Sequence, residues 1–264
     1  MRRQKYIDSK KQKIKKNSLL YIAVLSSVLI LVSAFAFLFF KLFSLEKYSF
    51  VYRDKNKDTY IYIVDTKNDM AKKYFVNGNI LLDSSRSLGE YSLENLWVLA
   101  EKEKIGGELV TKSIVKNFNL PIFYYLNGRD TNMDLYHLIK SRVTISKKYP
   151  TDAEINSFLI SKSILVDFVD LEVQEGQMGV EITDLTGNSN ISEQVSIIIN
   201  NLGSKVTNFS RGSNDDNLDC EIVSKKEDRF VSMLKFIFDC EVKQHNEDLN
   251  YIKLRIGEKF VERF

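Results

Sequence analysis

The segment VEITDLTGNSNISEQVSIIINNLG, Val180 to Gly203, places a short apolar strand, a polar turn and a helix in immediate succession. Ile191, Val195, Ile198, Ile199 and Leu202 recur at i, i+4, i+7, i+8 and i+11, the spacing of one helical face. Gly203 stands where a helix commonly ends in a left-handed residue. Asn190 is the expected N-cap, with Glu193 three residues on as in a capping box. A strand that feeds a helix through a short turn sets the class as α/β.

The turn itself, Asp184 to Ser189, invites a second reading. A helix N-terminus attracts anions, which makes Thr186 and Gly187 candidates for a phosphate contact. A Walker loop needs GxxxxGK[ST], and no lysine follows Gly187; a dinucleotide fingerprint needs three spaced glycines, and there is one. A structural βα corner is the favoured reading.

Outward from this corner the pattern continues. SKVTNF is a second strand, SRGSNDDN a polar loop and CEIVS a third strand. EDRFVSMLKFIF is a second amphipathic helix, with Phe230, Leu234 and Ile237 on one face. EVK is a short strand and YIKLRIG a last one. Residues 176–264 therefore form a two-layer βαββαββ domain. Cys220 opens the third strand and Cys240 follows the helix that returns antiparallel to it. A βα unit brings such ends together, so a Cys220–Cys240 disulfide closing a loop of about 20 residues is one possibility. Two separate buried thiols are the other.

Towards the N-terminus, residues 41–175 read as another α/β domain. TYIYIVD and MAKKYFV form a hairpin around TKND, SFVYRD precedes them as β-former, and Asn77-Gly78 turns into ILLD. Ser92 is the N-cap of LENLWVLAEKEK, with Leu93, Leu96, Trp97 and Ala100 facing inward. ELVTKSIVKNF is a second helix with Leu109, Ile114 and Val115 inward, and IFYYL a buried strand. MDLYHLIKSRV and, after Tyr149-Pro150, TDAEINSFLISK read as further helices.

Ser18 to Phe40 is a run of 23 residues without a charge, 15 of them Leu, Ile, Val or Phe. About 20 such residues span a bilayer core. At roughly −0.4 kcal/mol each, those side chains favour insertion by about 6 kcal/mol. Residues 1–17 carry eight Lys/Arg and one Asp, the mark of a cytoplasmic tail. The expected topology is a single transmembrane anchor over residues 18–40, in contact with membrane lipid, and an extracytoplasmic remainder. Ala34-Phe35-Ala36 has the look of a signal-peptide cleavage site, but Phe37 to Phe40 carry the apolar run past it. The whole chain is +3, and without the tail 30 basic residues face 34 acidic ones, which argues against nucleic acid as a partner.

The run from Val180 to Gly212 resembles the LytR C-terminal domain. The Asp184-Leu185-Thr186-Gly187 turn stands at the family's Asn-Gly-Thr-Gly-like turn, Leu202-Gly203 at its helix end, and Gly257 with Phe260 at its Gly-x-x-Phe-like close. Gly106 to Gly128 and the hairpin Thr59 to Asp83 are similar to parts of the LytR-CpsA-Psr catalytic domain. The resemblance implies a bacterial cell-envelope protein. Catalytic members transfer glycopolymer from a polyprenyl-pyrophosphate carrier to the cell wall, usually with Mg²⁺. The family's Ile-Pro-Arg-Asp stretch has no counterpart in ILLDSSRSLGEYS, where Pro and the adjacent Arg are missing. The middle domain therefore reads as a reduced relative whose role is binding or regulation and which needs no cofactor. The alternatives are an active phosphotransferase, which would use Mg²⁺, and a membrane-anchored scaffold for other envelope proteins.

A pyrophosphate site needs arginine forks and carboxylates. Residues 43–170 hold four arginines, Arg53, Arg86, Arg129 and Arg142. Asp83, Arg86 and Arg129 are the candidates for anion binding, and none falls on a family position. No metal site is expected: His137 and His245 lie far apart without Cys or His at ligand spacing, and both read as surface or helix-face histidines. GxSxG and HExxH are absent.

Overall fold

The computed structural model describes residues 24–34, 36, 47–157, 159–176, 178–213, 217–245 and 251–264. It separates into two units, residues 1–44 and 45–264. In the first, residues 24–34 form a helix, α1. Among the described residues no helix is long and apolar enough to cross a membrane. Residues 18–23, 35 and 37–40 of the expected anchor lie outside the described residues.

In the second unit the aromatic and β-branched runs become strands because their alternation buries one or both faces. β1 (Lys47–Arg53), β2 (Thr59–Asp65) and β3 (Met70–Val76) form an antiparallel meander. After it come β4 (Leu81–Asp83) and β5 (Glu90–Ser92), which pair with each other, and the helices α2 (Leu93–Lys102) and α3 (Gly107–Phe118). β6 (Tyr124–Asn127) returns parallel to β1, and β7 (Asp130–Thr131) hairpins onto it. α4 (Leu135–Ser146) and β8 (Ala153–Ile155) follow. The resulting sheet has the order β7-β6-β1-β2-β3-β8.

Two faces of β1 carry different layers. Tyr48, Phe50 and Tyr52 point one way into an aromatic cluster with Tyr62 and Tyr124. Ring contacts from Tyr48 and Tyr124 to His137, each at 4.8 Å, show α4 covering that side. Arg53 points the other way, to Trp97 of α2. Leu93, Leu96, Trp97 and Ala100 are all buried, and Ser92 Oγ accepts from Asn95 N, as the helical spacing predicts.

Residues 151–162 depart from the helical expectation. Pro150 disfavours a helical residue before it, and the outer edge of β3 offers unpaired backbone groups. Ala153–Ile155 takes that edge as β8, parallel to β3, and the Asp152 carboxylate accepts the Lys73 N–H at 2.8 Å. The remaining segment folds as two short helices, α5 (Lys162–Phe168) and α6 (Leu171–Gly176).

The C-terminal part contains β9 (Gly179–Asp184), α7 (Ser189–Leu202), β10 (Lys205–Arg211), β11 (Cys220–Ser224), α8 (Arg229–Phe238), β12 (Glu241–Gln244), β13 (Tyr251–Ile256) and α9 (Glu258–Arg263). Its sheet runs β10-β9-β13-β11-β12. The order is the expected βαββαββ with a closing helix added. Gly257 permits that helix, since a Cβ there would overlap the Leu218 carbonyl. Phe260 and Phe264, buried and stacked at 4.9 Å, give the helix an apolar face to bury. Ile191, Val195, Ile198, Ile199 and Leu202 are all buried, and Gly203 caps α7 at φ 109°. Cys220 and Cys240 are joined in a disulfide with Cα atoms 4.9 Å apart.

The two sheets use separate stretches of chain, yet residues 45–264 pack as one unit. Tyr124 meets Phe236 at 5.3 Å, and Asn201 Nδ2 donates to Asn119 O at 2.8 Å. Lys112 Nζ donates to the Ile237 and Phe236 carbonyls at 2.6 and 3.2 Å, where the C-terminal end of α8 favours a cation. Burial lowers the Lys112 ammonium from 10.5 to about 8, with the Asp239 charge opposing. Between those pH values the unfolded chain holds the proton and the folded chain does not. Folding stability from this group therefore rises with pH across that window. Urea midpoints measured from pH 8 to 10 are expected to climb in the wild type and to climb less in Lys112→Met. The partial exposure of the side chain limits the size of the difference. Tyr62 and Tyr125, pushed up to about 12 by burial, stay neutral throughout. Equal slopes in the two proteins would show that Lys112 is not desolvated at the junction.

Candidate functional site

β1 and β6 run parallel and end together, with Arg53 opposite Asn127. Open α/β sheets gather ligands beyond the carboxyl ends of such strands. A cavity of about 430 Å³ opens there, within the size range of small-ligand sites. Tyr52, Leu126 and Ile145 give it apolar surface. Arg53, Asp54, Lys55 and Arg142 give it charge, and Asn127 and Gly128 close the β6 side.

The charges are unequal. Three cations line the cavity against one carboxylate. That carboxylate is committed to its own turn: Asp54 Oδ1 accepts the N–H groups of Asn56 and Asp58 at 2.8 and 2.9 Å. Arg53 is 7% exposed and pairs through Nη1 with Glu101 at 2.7 Å. Its guanidinium lies 5.1 Å from the Trp97 ring. Its Nε is a buried donor without a partner among the described residues. A buried orphan donor calls for a water or ligand acceptor. Burial, and the Asp54 charge, push the Tyr52 phenol up, which keeps it a neutral hydrogen-bonding group. The arrangement suits an anion held by hydrogen bonds and charge against an apolar wall. Asp54 is the one carboxylate in its lining. Among the described residues no three His, Cys, Asp or Glu side chains gather around a common point.

The residues singled out from sequence do not converge. Asp83 pairs with Lys116 at 2.8 Å, near the end of α3. Arg86 sits in a left-handed turn residue and pairs with Glu108 at 3.2 Å, in the first turn of α3. Those anchor points are eight residues apart, about 12 Å along a helix. Arg129 is exposed in the β6–β7 turn. The N-terminus of α3 is taken by Asp130, which accepts the Gly107 N–H at 3.0 Å.

Thr186 and Gly187 lie in a turn that satisfies itself. Asp184, 2% exposed, accepts from the Thr186 N–H at 2.9 Å, the Thr186 hydroxyl at 2.7 Å and the Ser192 hydroxyl at 2.6 Å. Asn188, not Asn190, is the N-cap of α7, because the Asp184-centred turn starts the helix two residues earlier. A buried carboxylate already occupies the place an anion would take. His137 is also not a surface residue. It is fully buried, with Nδ1 2.6 Å from Asp134 Oδ2.

In the sequence Arg53 and Arg142 stand out only as two of the four arginines of residues 43–170. The available signal was the Arg-Asp pair closing a predicted strand in SFVYRD and Asn-Gly closing IFYYLNG. Both fall at strand ends, where α/β folds place ligands. No protein-family model matches the chain, and no curated protein matches it.

Proposed function

We propose that the chain is a membrane-anchored cell-envelope protein of the LytR-CpsA-Psr group that binds a phosphate-bearing glycopolymer or its lipid-linked precursor without transferring it. The buried, partnerless Arg53 Nε at the β1–β6 cavity carries the reading, together with the Lys55 and Arg142 cations beside it. The family assignment rests on the LytR-like turn and helix end, and the anchor on residues 18–40. A phosphate group would meet Arg53, Lys55 and Arg142, while the apolar wall of Tyr52, Leu126 and Ile145 would flank a sugar ring or isoprenoid.

The test is a thermal shift of the full chain in detergent with a short polyprenyl pyrophosphate, with and without Mg²⁺. The expected result is saturable stabilisation that does not need Mg²⁺. Arg142→Gln should weaken it about tenfold, the loss of one charge-assisted hydrogen bond. Stabilisation that requires Mg²⁺, together with release of polyprenyl monophosphate as the glycan phosphate passes from a glycosylated pyrophosphate carrier to an acceptor hydroxyl, would establish the transferase instead. No shift at millimolar ligand would leave the scaffold reading.

A further inference from the structure

We propose that the outer face of α4 docks onto the surface of an anionic lipid bilayer. The helix LYHLIKSRVTIS buries polar side chains and exposes aliphatic ones. Its buried positions are His137, Ser141 and Thr144, while Leu135, Ile139 and Val143 are 59%, 54% and 49% exposed. The exposed three stand at i, i+4 and i+8, one continuous ridge along the helix. Burying apolar side chains is favourable, and this fold leaves about half of these three in water. Leu138 and Ile145 supply the helix's partial contact with the core.

The charge beside the ridge is of one sign. α4 contains no Asp or Glu and carries Lys140 and Arg142, with Lys147 and Lys148 just beyond its end. Asp134 caps the helix and binds His137, and Asp69 and Lys147 pair with each other at 2.9 Å, which leaves Lys140, Arg142 and Lys148 as the cations beside the ridge. An apolar ridge flanked by cations is the pattern of helices that lie in a lipid headgroup layer.

The chain also constrains where a bilayer would be. This step rests on the anchor reading of residues 18–40. Only residues 41–46 separate that segment from β1. At no more than 3.6 Å per residue the seven steps from residue 40 to residue 47 span about 25 Å at most. α4 sits directly on the first residues of β1, with the Tyr48 and Ser141 hydroxyls 3.2 Å apart and the Tyr48 and His137 rings 4.8 Å apart. The ridge is thus about one helix diameter, roughly 10 Å, from the end of that tether.

Both cysteines of the sequence are in the disulfide, so a single new thiol can be labelled. The full chain carrying Ile139→Cys and an environment-sensitive fluorophore is reconstituted into nanodiscs of phosphatidylcholine with or without phosphatidylglycerol. Flotation with lipid reports the anchor separately. The control is Val98→Cys, which is exposed on α2 across the sheet from α4. The expected result is a blue-shifted emission at position 139, quenched by lipid-borne nitroxide in the anionic discs. Lys140→Glu with Arg142→Glu should abolish it, and position 98 should stay in water. A chain that floats while position 139 remains open to an aqueous quencher overturns the docking and leaves the anchor standing. A chain that does not float removes the tether and overturns both. Shielding that depends on protein concentration and not on lipid would mean that a second copy covers the ridge, which also overturns the proposal.

Discussion

Replacing Trp97 with alanine is expected to lower folding stability by about 3–5 kcal/mol, the usual range for removing a buried tryptophan. Trp97 is 1% exposed and stands between α2 and the sheet. Its Nε1 donates to the Thr59 hydroxyl at 2.9 Å, and Thr59 is itself buried. Its ring supports the Arg53 guanidinium, which also holds Glu101 one turn further along α2. Alanine would open a cavity, strand the Thr59 hydroxyl and release the arginine together. Since domains are typically stable by only 5–15 kcal/mol, the variant should be near the limit of folding. Trp97→Phe keeps most of the volume and should cost less, largely the hydroxyl left without its donor, about 1–3 kcal/mol. Urea denaturation followed by circular dichroism measures both. A Trp97→Ala midpoint equal to wild type would show that the α2 layer does not pack as described. The same variants bear on the cavity, because Arg53 lines it. Trp97→Phe should retain ligand-induced stabilisation, as the ring under the guanidinium survives.

The second large effect is expected from the disulfide. Cys220 begins β11 and Cys240 follows α8, 20 residues later. Closing a loop of that length stabilises by about 3 kcal/mol in the chain-entropy account. For a unit of this size that corresponds to a fall in Tm of roughly 6–12 °C when the bond is lost. Both cysteines are 4% exposed, so a reductant should act only after local opening. Arg263 gathers around the same place, with Nη2 2.7 Å from the Phe238 carbonyl and 3.2 Å from Cys220 Sγ. The double variant Cys220→Ala/Cys240→Ala, melted beside oxidised and fully reduced wild type, separates the crosslink from the packing. Reduced wild type and the double variant should melt together, below the oxidised protein. Coincidence of all three curves would mean that the bond constrains nothing the fold does not already hold.

Periodicity carried much of the fold. The alternation in TYIYIVD and MAKKYFV marks β2 and β3, and the 3.6-residue spacing from Ile191 to Leu202 marks α7 and its buried face. Such patterns are legible because each element buries its own apolar side against whatever layer is next to it. Three features were not legible for the opposite reason. β8 exists because β3 leaves an open edge, a fact about residues 70–76 and not about 151–162. The start of α7 is set by Asp184, whose role appears only once Thr186 and Ser192 are folded around it. The candidate cavity draws on β1 and, about 70 residues later, on β6 and α4, brought together by the parallel β1–β6 pairing and by the packing of α4 on Tyr48.

α4 shows the division most clearly. Its residues favour a helix, and a helix forms over Leu135–Ser146. Local propensity settles that much, since hydrogen bonds four residues apart need no other part of the chain. The side that faces inward is another matter. Apolar content would have turned Leu135, Ile139 and Val143 to the core. Instead the Tyr48 hydroxyl binds Ser141, and the Tyr48 and Tyr124 rings enclose His137. The α/β class, the strands of the meander and the buried face of α7 are legible in the residues alone, because each follows from local spacing. The tertiary structure alone decided the edge strand, the convergence of Arg53, Lys55 and Arg142, and the outward apolar ridge. Those depend on which distant surfaces meet, and a polar network fixed between two elements can outweigh the burial of three aliphatic side chains.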